Sequence, residues 1–153
     1  MDIKALLPKS HFVLNLGAAP RRELLRSLAA PLAADGIVTD LETFLNDVEY
    51  REDQITTQIA KDLAIPHARS TAVRRLGITI GITDETGVGY THGAAKCRLF
   101  FLICIPAVAP TAHLTLLQGL VHFADDKKRM DKLKAATTPS QAINCLASYK
   151  WPA

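Results

Sequence analysis

The sequence has few cysteines, little net charge and no concentrated basic stripe, and each shortage excludes a class of protein. Its cysteines, Cys97, Cys104 and Cys145, are odd in number and contain no Cys-x-x-Cys pair. Neither a disulfide framework nor a thiolate zinc site is therefore expected. The formal net charge is only +3 and the basic residues are scattered. Nucleic-acid binding is not expected, because such proteins concentrate basic residues along one surface.

Long apolar runs are also missing. None approaches the ~20 residues that a membrane-spanning helix needs, and the N-terminal MDIKALLPKSHF lacks the apolar stretch of a signal peptide. We therefore expect a cytoplasmic protein without direct membrane insertion. The 153 residues are 48% hydrophobic and 22% charged, which is typical of a globular protein with one core. A single domain over residues 1–153 is predicted.

Apolar residues at helical spacing predict two helices in the first third of the chain. Pro20 favours the start of the first helix, and Pro31 is expected to kink or end it before the turn at Asp35-Gly36. Its apolar stripe is formed by Leu24, Leu25, Leu28 and Leu32. Asp40 is placed to cap the second helix, which ends near Arg51-Glu52. Its stripe is formed by Leu41, Phe44, Leu45 and Val48.

Two strand-like runs follow a polar, loop-like segment at 53–75. They are Leu76–Ile82 and Leu99–Ile105, and the second is apolar on both faces, which predicts a central strand covered on each side. A short edge strand is predicted around Val88–Tyr90. Helices before and after these strands predict an α/β layered fold, with a small mixed β-sheet covered by helices on both faces.

The last third of the sequence is predicted to be helical. The segment Ala112–Ala124 is apolar almost all round, which indicates a buried helix with Thr111 as its N-cap. Lys127–Arg129 follow two aspartates and are interpreted as a solvated helix end. A final helix is predicted to begin near Pro139 with Thr138 as its cap.

Two of the five histidines have surroundings that favour chemistry. His67 follows Pro66, which fixes the backbone and holds the imidazole at a strand end, a suitable place for a nucleophile. The same pattern also fits a partly exposed histidine that only makes hydrogen bonds. His113 falls in the first turn of the helix after Thr111, where free N–H groups favour a bound anion. A histidine packed in a buried helix is the alternative there.

The other histidines and the missing motifs limit the remaining chemistries. His92 is expected in a loop and His122 on a helix flank. The histidines show neither an HExxH motif nor paired short spacing, so no metal site is expected. No GxSxG elbow, Walker A loop or dinucleotide fingerprint occurs, so neither serine-hydrolase chemistry nor a tightly held cofactor is predicted.

In two separated stretches the sequence resembles the fructose, mannitol and nitrogen-regulatory type of enzyme IIA of the phosphoenolpyruvate-dependent phosphotransferase system (PTS EIIA type 2). The stretches are REDQITTQIAKDLAIPHAR and RLFFLICIPAVAPTAHLTLLQGL. In the first, Arg51-Glu52 precedes Thr56-Thr57 and then Ile65-Pro66-His67, in the order of the family. In the second, His113 takes the place of a second active-site histidine. The resemblance covers roughly residues 20–147.

The resemblance implies a phosphoryl carrier. Neutral His67 would accept the phosphoryl group from an HPr-like phosphocarrier protein and pass it to an enzyme IIB cysteine, or use it for regulation of a target protein. Arg51 and His113 would act with His67 as catalytic residues that stabilise the transferring group. Thr57, with Thr56, would support the phosphate or the imidazole; a plain turn-stabilising hydroxyl is the alternative for Thr57. An enzyme IIB or membrane component is expected on a separate protein.

One departure from the family pattern keeps a second hypothesis open. The family usually has glycines between the threonine pair and the Ile-Pro-His, whereas the segment QIAKDLA (58–64) has none. Glycines permit tight turns and close approach to a ligand. The alternative is therefore an EIIA-like regulatory binding module that signals by protein docking without obligatory phosphotransfer. An unrelated metal or small-ligand binder remains only if the resemblance is accidental.

Overall fold

Helices and strands from the whole length of the chain build one mixed sheet with helical layers. The structure is a computed structural model that describes residues 1–153. The helices are α1 (Ile3–Leu6), α2 (Arg21–Ala34), α3 (Leu41–Gln54), α4 (Leu114–Ala124), α5 (Lys127–Lys134) and α6 (Pro139–Ala147). The strands are β1 (Phe12–Leu14), β2 (Gln58–Ala60), β3 (Leu63–Ala64), β4 (His67–Ser70), β5 (Gly77–Ile82) and β6 (Leu99–Pro106). A 3₁₀ turn at Lys9–His11 precedes β1.

The apolar strand β6 lies at the centre of the sheet, and all of its residues are buried. Along one edge it pairs antiparallel with β5, which pairs parallel with β1. Along its other edge it pairs parallel first with β3 and then with β4. Strand β2 is antiparallel to β3. The strands β3 and β4 are therefore two pieces of one edge, separated by Ile65-Pro66.

Both faces of the sheet are covered, as the doubly apolar pattern of β6 predicts. Helices α2 and α3 share a buried cluster with Phe100 and Leu102 on one face. Helices α1, α4, α5 and α6 share a second cluster with Phe101 and Ile103 on the other. Phe100 and Phe101 are both 0% exposed. The predicted fold class, a layered α/β fold with a covered mixed sheet, is confirmed.

The predicted caps are formed at the starts of α3 and α6. The Asp40 carboxylate accepts the Thr43 N–H at the start of α3, and the Thr138 hydroxyl accepts the Gln141 N–H at the start of α6. Ion pairs fix α3 to α2, among them Arg21 with Asp53 at 2.7 Å. Exposed pairs of this kind contribute only about 0–1 kcal/mol each, so the buried apolar stripes remain the main contact between these helices.

One predicted helix end is confirmed and one predicted helix start is wrong. Helix α2 ends at Ala34, directly before the turn at Asp35-Gly36, and it continues through Pro31, because a proline in the last turn removes only one helical hydrogen bond while the buried apolar stripe holds the helix to the sheet. Helix α4 begins at Leu114 with His113, not Thr111, at the N-cap position, and it has no side-chain cap. The Thr111 carbonyl instead accepts the Leu114 N–H in a preceding turn.

Other differences concern short elements and one exposed surface. The segment at 53–75 contains β2, β3 and β4, and the region of Val88–Tyr90 forms only an isolated bridge to Cys97. Lys127–Arg129 form the first turn of α5, a helix that the sequence analysis did not include. Helix α4 is not buried all round, since Leu114 is 53% and Val121 40% exposed. Pairing with distant segments and uncovered helix faces are not visible in a local pattern.

Candidate active site

The break between β3 and β4 sets the orientation of His67. The Pro66 carbonyl accepts the Ile103 N–H, and the Ile65 N–H donates to the Thr57 carbonyl, so the break is held on both sides. The Nδ1 atom of His67 lies 2.8 Å from the Ile65 carbonyl oxygen. A carbonyl oxygen can only accept, so Nδ1 carries the proton. The Nε2 atom of neutral His67 therefore keeps its lone pair.

His113 lies against His67 at the start of α4. The two imidazole rings are stacked, with centroids 5.9 Å apart and planes 30° apart. The His113 side chain is buried, and its Nδ1 has no hydrogen-bond partner in the protein. No hydrogen bond within the protein fixes its tautomer, so the ring is available to donate to a group bound beside His67.

Arg51 reaches the same place from the last turn of α3. One of its terminal nitrogens, Nη1, donates to the Ile55 carbonyl at 2.8 Å, which leaves the other guanidinium N–H groups without a protein acceptor. His67, His113 and Arg51 line one surface depression of about 350 Å³. The other lining residues are Asp47, Tyr50, Ala68 and Arg69. The fold thus brings together three residues that are far apart along the chain.

The threonine pair contacts a buried carboxylate beside this depression. Glu52 is 7% exposed and accepts hydrogen bonds from the Thr57 N–H at 2.7 Å, the Thr57 hydroxyl at 2.6 Å and the Thr56 hydroxyl at 3.0 Å. Both hydroxyls are thus used within the protein in this structure. The role of Thr56 and Thr57 in phosphate support stays a prediction.

Sequence reasoning missed the contribution of Glu52 and the position of Arg69. The Arg51-Glu52 pair by itself does not show that Glu52 accepts hydrogen bonds from both threonines. Arg69 stands two residues after His67, and strand periodicity puts both on one face.

Burial and the neighbouring Glu52 raise the pKa of Tyr90, which stays a neutral hydroxyl beside the carboxylate.

Burial lowers the pKa of both site histidines. For His67 the burial of the ring is the largest cause; the Ile65 carbonyl and Glu52 act in the opposite direction, while Arg51 and Arg69 lower the pKa further. Burial likewise lowers the pKa of His113, and His67 and Arg69 add to the effect. Both imidazoles are therefore neutral at pH 7, the state in which a histidine is nucleophilic.

A titration by NMR checks this assignment. We expect the ring C–H resonances of His67 and His113 to titrate with midpoints below the ordinary pKa of 6.5. A midpoint for His67 at or above 6.5 would contradict the effect of burial and of the two arginines.

The glycine-free segment before His67 forms a short hairpin with a register shift between Gln58 and Ala60. Strands β2 and β3 are joined by the turn at Lys61-Asp62, and no residue of the segment has a positive φ angle. The Asp62 carboxylate pairs with Lys134 at 2.6 Å, and its carbonyl accepts the N–H groups of Arg98 and Leu99. The hairpin therefore requires no glycine.

The remaining predicted features lie outside the depression. His92 lies in an exposed loop, and His122 is exposed near the end of α4, as predicted. No group of three or more histidine, cysteine, aspartate or glutamate side chains is placed to hold a metal ion. None of the helices combines the length and the apolar character that crossing a bilayer requires.

Fold and site together define a layered α/β protein with a paired-histidine surface site beside a free guanidinium. The chain belongs to the family described as the phosphoenolpyruvate-dependent sugar phosphotransferase system, EIIA 2, whose family model matches residues 5–149. This family includes sugar-specific and nitrogen-regulatory members, and its domains in the sugar-specific systems are phosphotransferase components.

Among curated relatives, the chain is similar to the PTS system 2-O-alpha-mannosyl-D-glycerate-specific EIIABC component of Escherichia coli K12. The identity is 31% over 95% of this chain and 22% of the relative. The chain spans between 19% and 34% of the length of the first curated relatives that it matches.

Solved structures share the fold. The nitrogen regulatory protein IIA-Ntr from Neisseria meningitidis superposes with a TM-score of 0.83 at 23% identity, over 94% of this chain and 98% of that chain. Enzyme IIA of the mannitol system from Escherichia coli, in complex with phosphorylated enzyme IIB, superposes with a TM-score of 0.76 at 22% identity, over 94% and 98% of the two chains.

Proposed function

We propose that the protein carries a phosphoryl group on Nε2 of His67, as an enzyme IIA component of a phosphotransfer relay in the cytosol. The observation that carries the proposal is the hydrogen bond from His67 Nδ1 to the Ile65 carbonyl. It holds the proton away from Nε2 and fixes the ring with Nε2 as the reactive atom. The family membership and the neutral state of the ring support the same conclusion.

The proposed donor is the phosphohistidine of an HPr-like phosphocarrier protein. As the new Nε2–P bond forms, the P–N bond of the donor breaks and its electron pair returns to the donor imidazole. The three equatorial oxygens carry negative charge in the loose transition state. The free N–H groups of Arg51 and the ring of His113 lie beside His67, where they can stabilise that charge. In onward transfer His67 is the donor and the sulfur of an enzyme IIB cysteine is the acceptor. The Nε2–P bond of His67 then breaks as the S–P bond forms.

An apolar surface around the depression supports docking of a partner protein. Most of the large apolar side chains that are exposed come from the segments that bear the site: Tyr50, Ile55, Ile59, Val108, Leu114 and Val121. Tyr50 lines the depression, and Ile59 and Val121 line an adjoining one together with Arg51 and His67. Exposed apolar clusters of this kind mark protein interaction sites. They fit transient contact with a carrier, an enzyme IIB or a regulated target.

The second candidate is a regulatory module, which the nitrogen-regulatory members of the family support. The missing glycines favour signalling by docking without phosphotransfer. The hairpin weakens that reason, because none of its residues has a positive φ angle that would require glycine. Regulation through the phosphorylation state of His67 remains compatible with the proposed relay.

Incubation with phosphoenolpyruvate, enzyme I and HPr tests the proposal. We expect wild-type protein to gain one phosphoryl group, measured by intact mass. The adduct should be acid-labile and alkali-stable, since the phosphorus is bound to an imidazole nitrogen and not to a threonine oxygen. If a known enzyme IIA is labelled in the same mixture and this protein is not, the docking module is the better account.

A further inference from the structure

Arg69 is a second arginine in the depression, and nothing above assigns it a role. In β4 the side chains of Ala68 and Ser70 are buried, while His67 and Arg69 alternate with them on the other face. Arg69 lines the same depression as His67 and His113. Its register partner in β6 is Ile105, two residues along from the partner of His67. The strand therefore presents a cation and the nucleophile side by side.

Arg69 lacks the carboxylate partner that the arginines of α2 have. Arg21, Arg22 and Arg26 form ion pairs with carboxylates of α3. Arg69 makes no ion pair and no side-chain hydrogen bond within the protein. Asp47 is the one acidic residue in the lining, and it lies beyond ion-pair distance of Arg69. An unpaired guanidinium beside two neutral imidazoles is a site for an anion.

We propose that Arg69 binds the phosphoryl oxygens of phosphorylated His67 and forms, with Arg51, a two-arginine clamp on the transferring group. This inference rests on the proposed function. The two arginines approach from different elements, Arg51 from α3 and Arg69 from β4. Guanidinium groups carry a permanent positive charge in proteins. Arg69 transfers no proton. Its charge offsets the negative charge of the phosphoryl group while the group is transferred to His67 and from His67.

Arg69→Gln and Arg69→Lys test the clamp, with Arg74→Gln as the matched control. Arg74 is an exposed arginine of the β4–β5 loop that does not line the depression. The rate of labelling from HPr and the phosphorus NMR titration of the phosphoprotein are measured for each variant. We expect Arg69→Gln to slow labelling on the order of tenfold and to raise the phosphoryl titration midpoint by roughly one pH unit, the equivalent of tenfold.

The lysine variant and the titration separate contact with the phosphoryl group from other roles. Arg69→Lys should restore most of the titration midpoint through its charge, but less of the rate, because an ammonium lacks the forked geometry. Arg74→Gln should match wild type in both measurements. Slow labelling with an unchanged titration would overturn the inference, since Arg69 would then contact the partner protein.

The two hypotheses fail in distinguishable ways. A labelled Arg69→Gln variant with wild-type rate and wild-type phosphorus titration overturns the clamp and leaves the proposed function intact. A wild-type protein that takes no label overturns the proposed function and the clamp with it. Melting curves of the variants ensure that a slow rate reflects the site and not loss of the fold.

Discussion

His67→Ala is expected to take no phosphoryl label in the enzyme I and HPr assay. His67 is the one side chain of the depression whose nucleophilic nitrogen is fixed by a hydrogen bond on the other ring nitrogen. The hydroxyls of Thr56 and Thr57 donate to Glu52, and the Nδ1 of His113 is enclosed. The cysteines are buried away from it, and burial raises the pKa of Cys97 and Cys104 to about 12, so neither is a thiolate at neutral pH. Intact mass and radiolabel retention on a gel measure the result.

A histidine outside the depression provides the matched control. His92→Ala removes an exposed loop imidazole that makes no hydrogen bond in the fold, and it should be labelled like wild type. His67→Gln retains a polar side chain at the start of β4, so loss of label in this variant is not a consequence of an empty position. Acid-labile label on either His67 variant would mean that another nitrogen accepts the group.

Arg51→Ala and His113→Ala are each expected to remain competent but to be labelled on the order of a hundredfold more slowly. Each variant removes one donor to the charge of the transferring group, and loss of such a donor typically costs about 3 kcal/mol. Neither removes the nucleophile, whose orientation depends on the Ile65 carbonyl. Rapid-quench labelling at saturating HPr measures the rate.

Two further variants separate catalysis from structure in this experiment. Arg51 also donates a hydrogen bond to the Ile55 carbonyl at the end of α3. Arg51→Lys therefore tests whether a positive charge without the forked guanidinium geometry retains part of the labelling rate. His113 is buried, so His113→Gln fills more of the space than alanine and keeps a donor. Unchanged rates in the alanine variants would remove Arg51 and His113 from the catalytic set.

The central strand and the site histidine could be predicted from local residues. A doubly apolar run such as Leu99–Ile105 has few alternatives to a covered central strand, and the Pro66-His67 pair marks a rigid position on the chain. The caps Asp40 and Thr138 depend on neighbours three residues away and were also readable. In contrast, β3 and β4 contain two and four residues, too few for a periodic pattern, and they exist because β6 provides their partners.

The sequence by itself determined the layered α/β class, the family resemblance and the candidate residues Arg51, His67 and His113, because these follow from periodicity and short motifs. Only the tertiary structure decided that Nε2 of His67 is the free nitrogen, since that depends on a carbonyl brought beside the ring by the break in the sheet edge. It also decided that Arg69 joins the site while the threonines bind Glu52. Hydrogen-bond partners and unpaired charges depend on contacts between segments that are distant along the chain. Local sequence patterns do not predict these contacts.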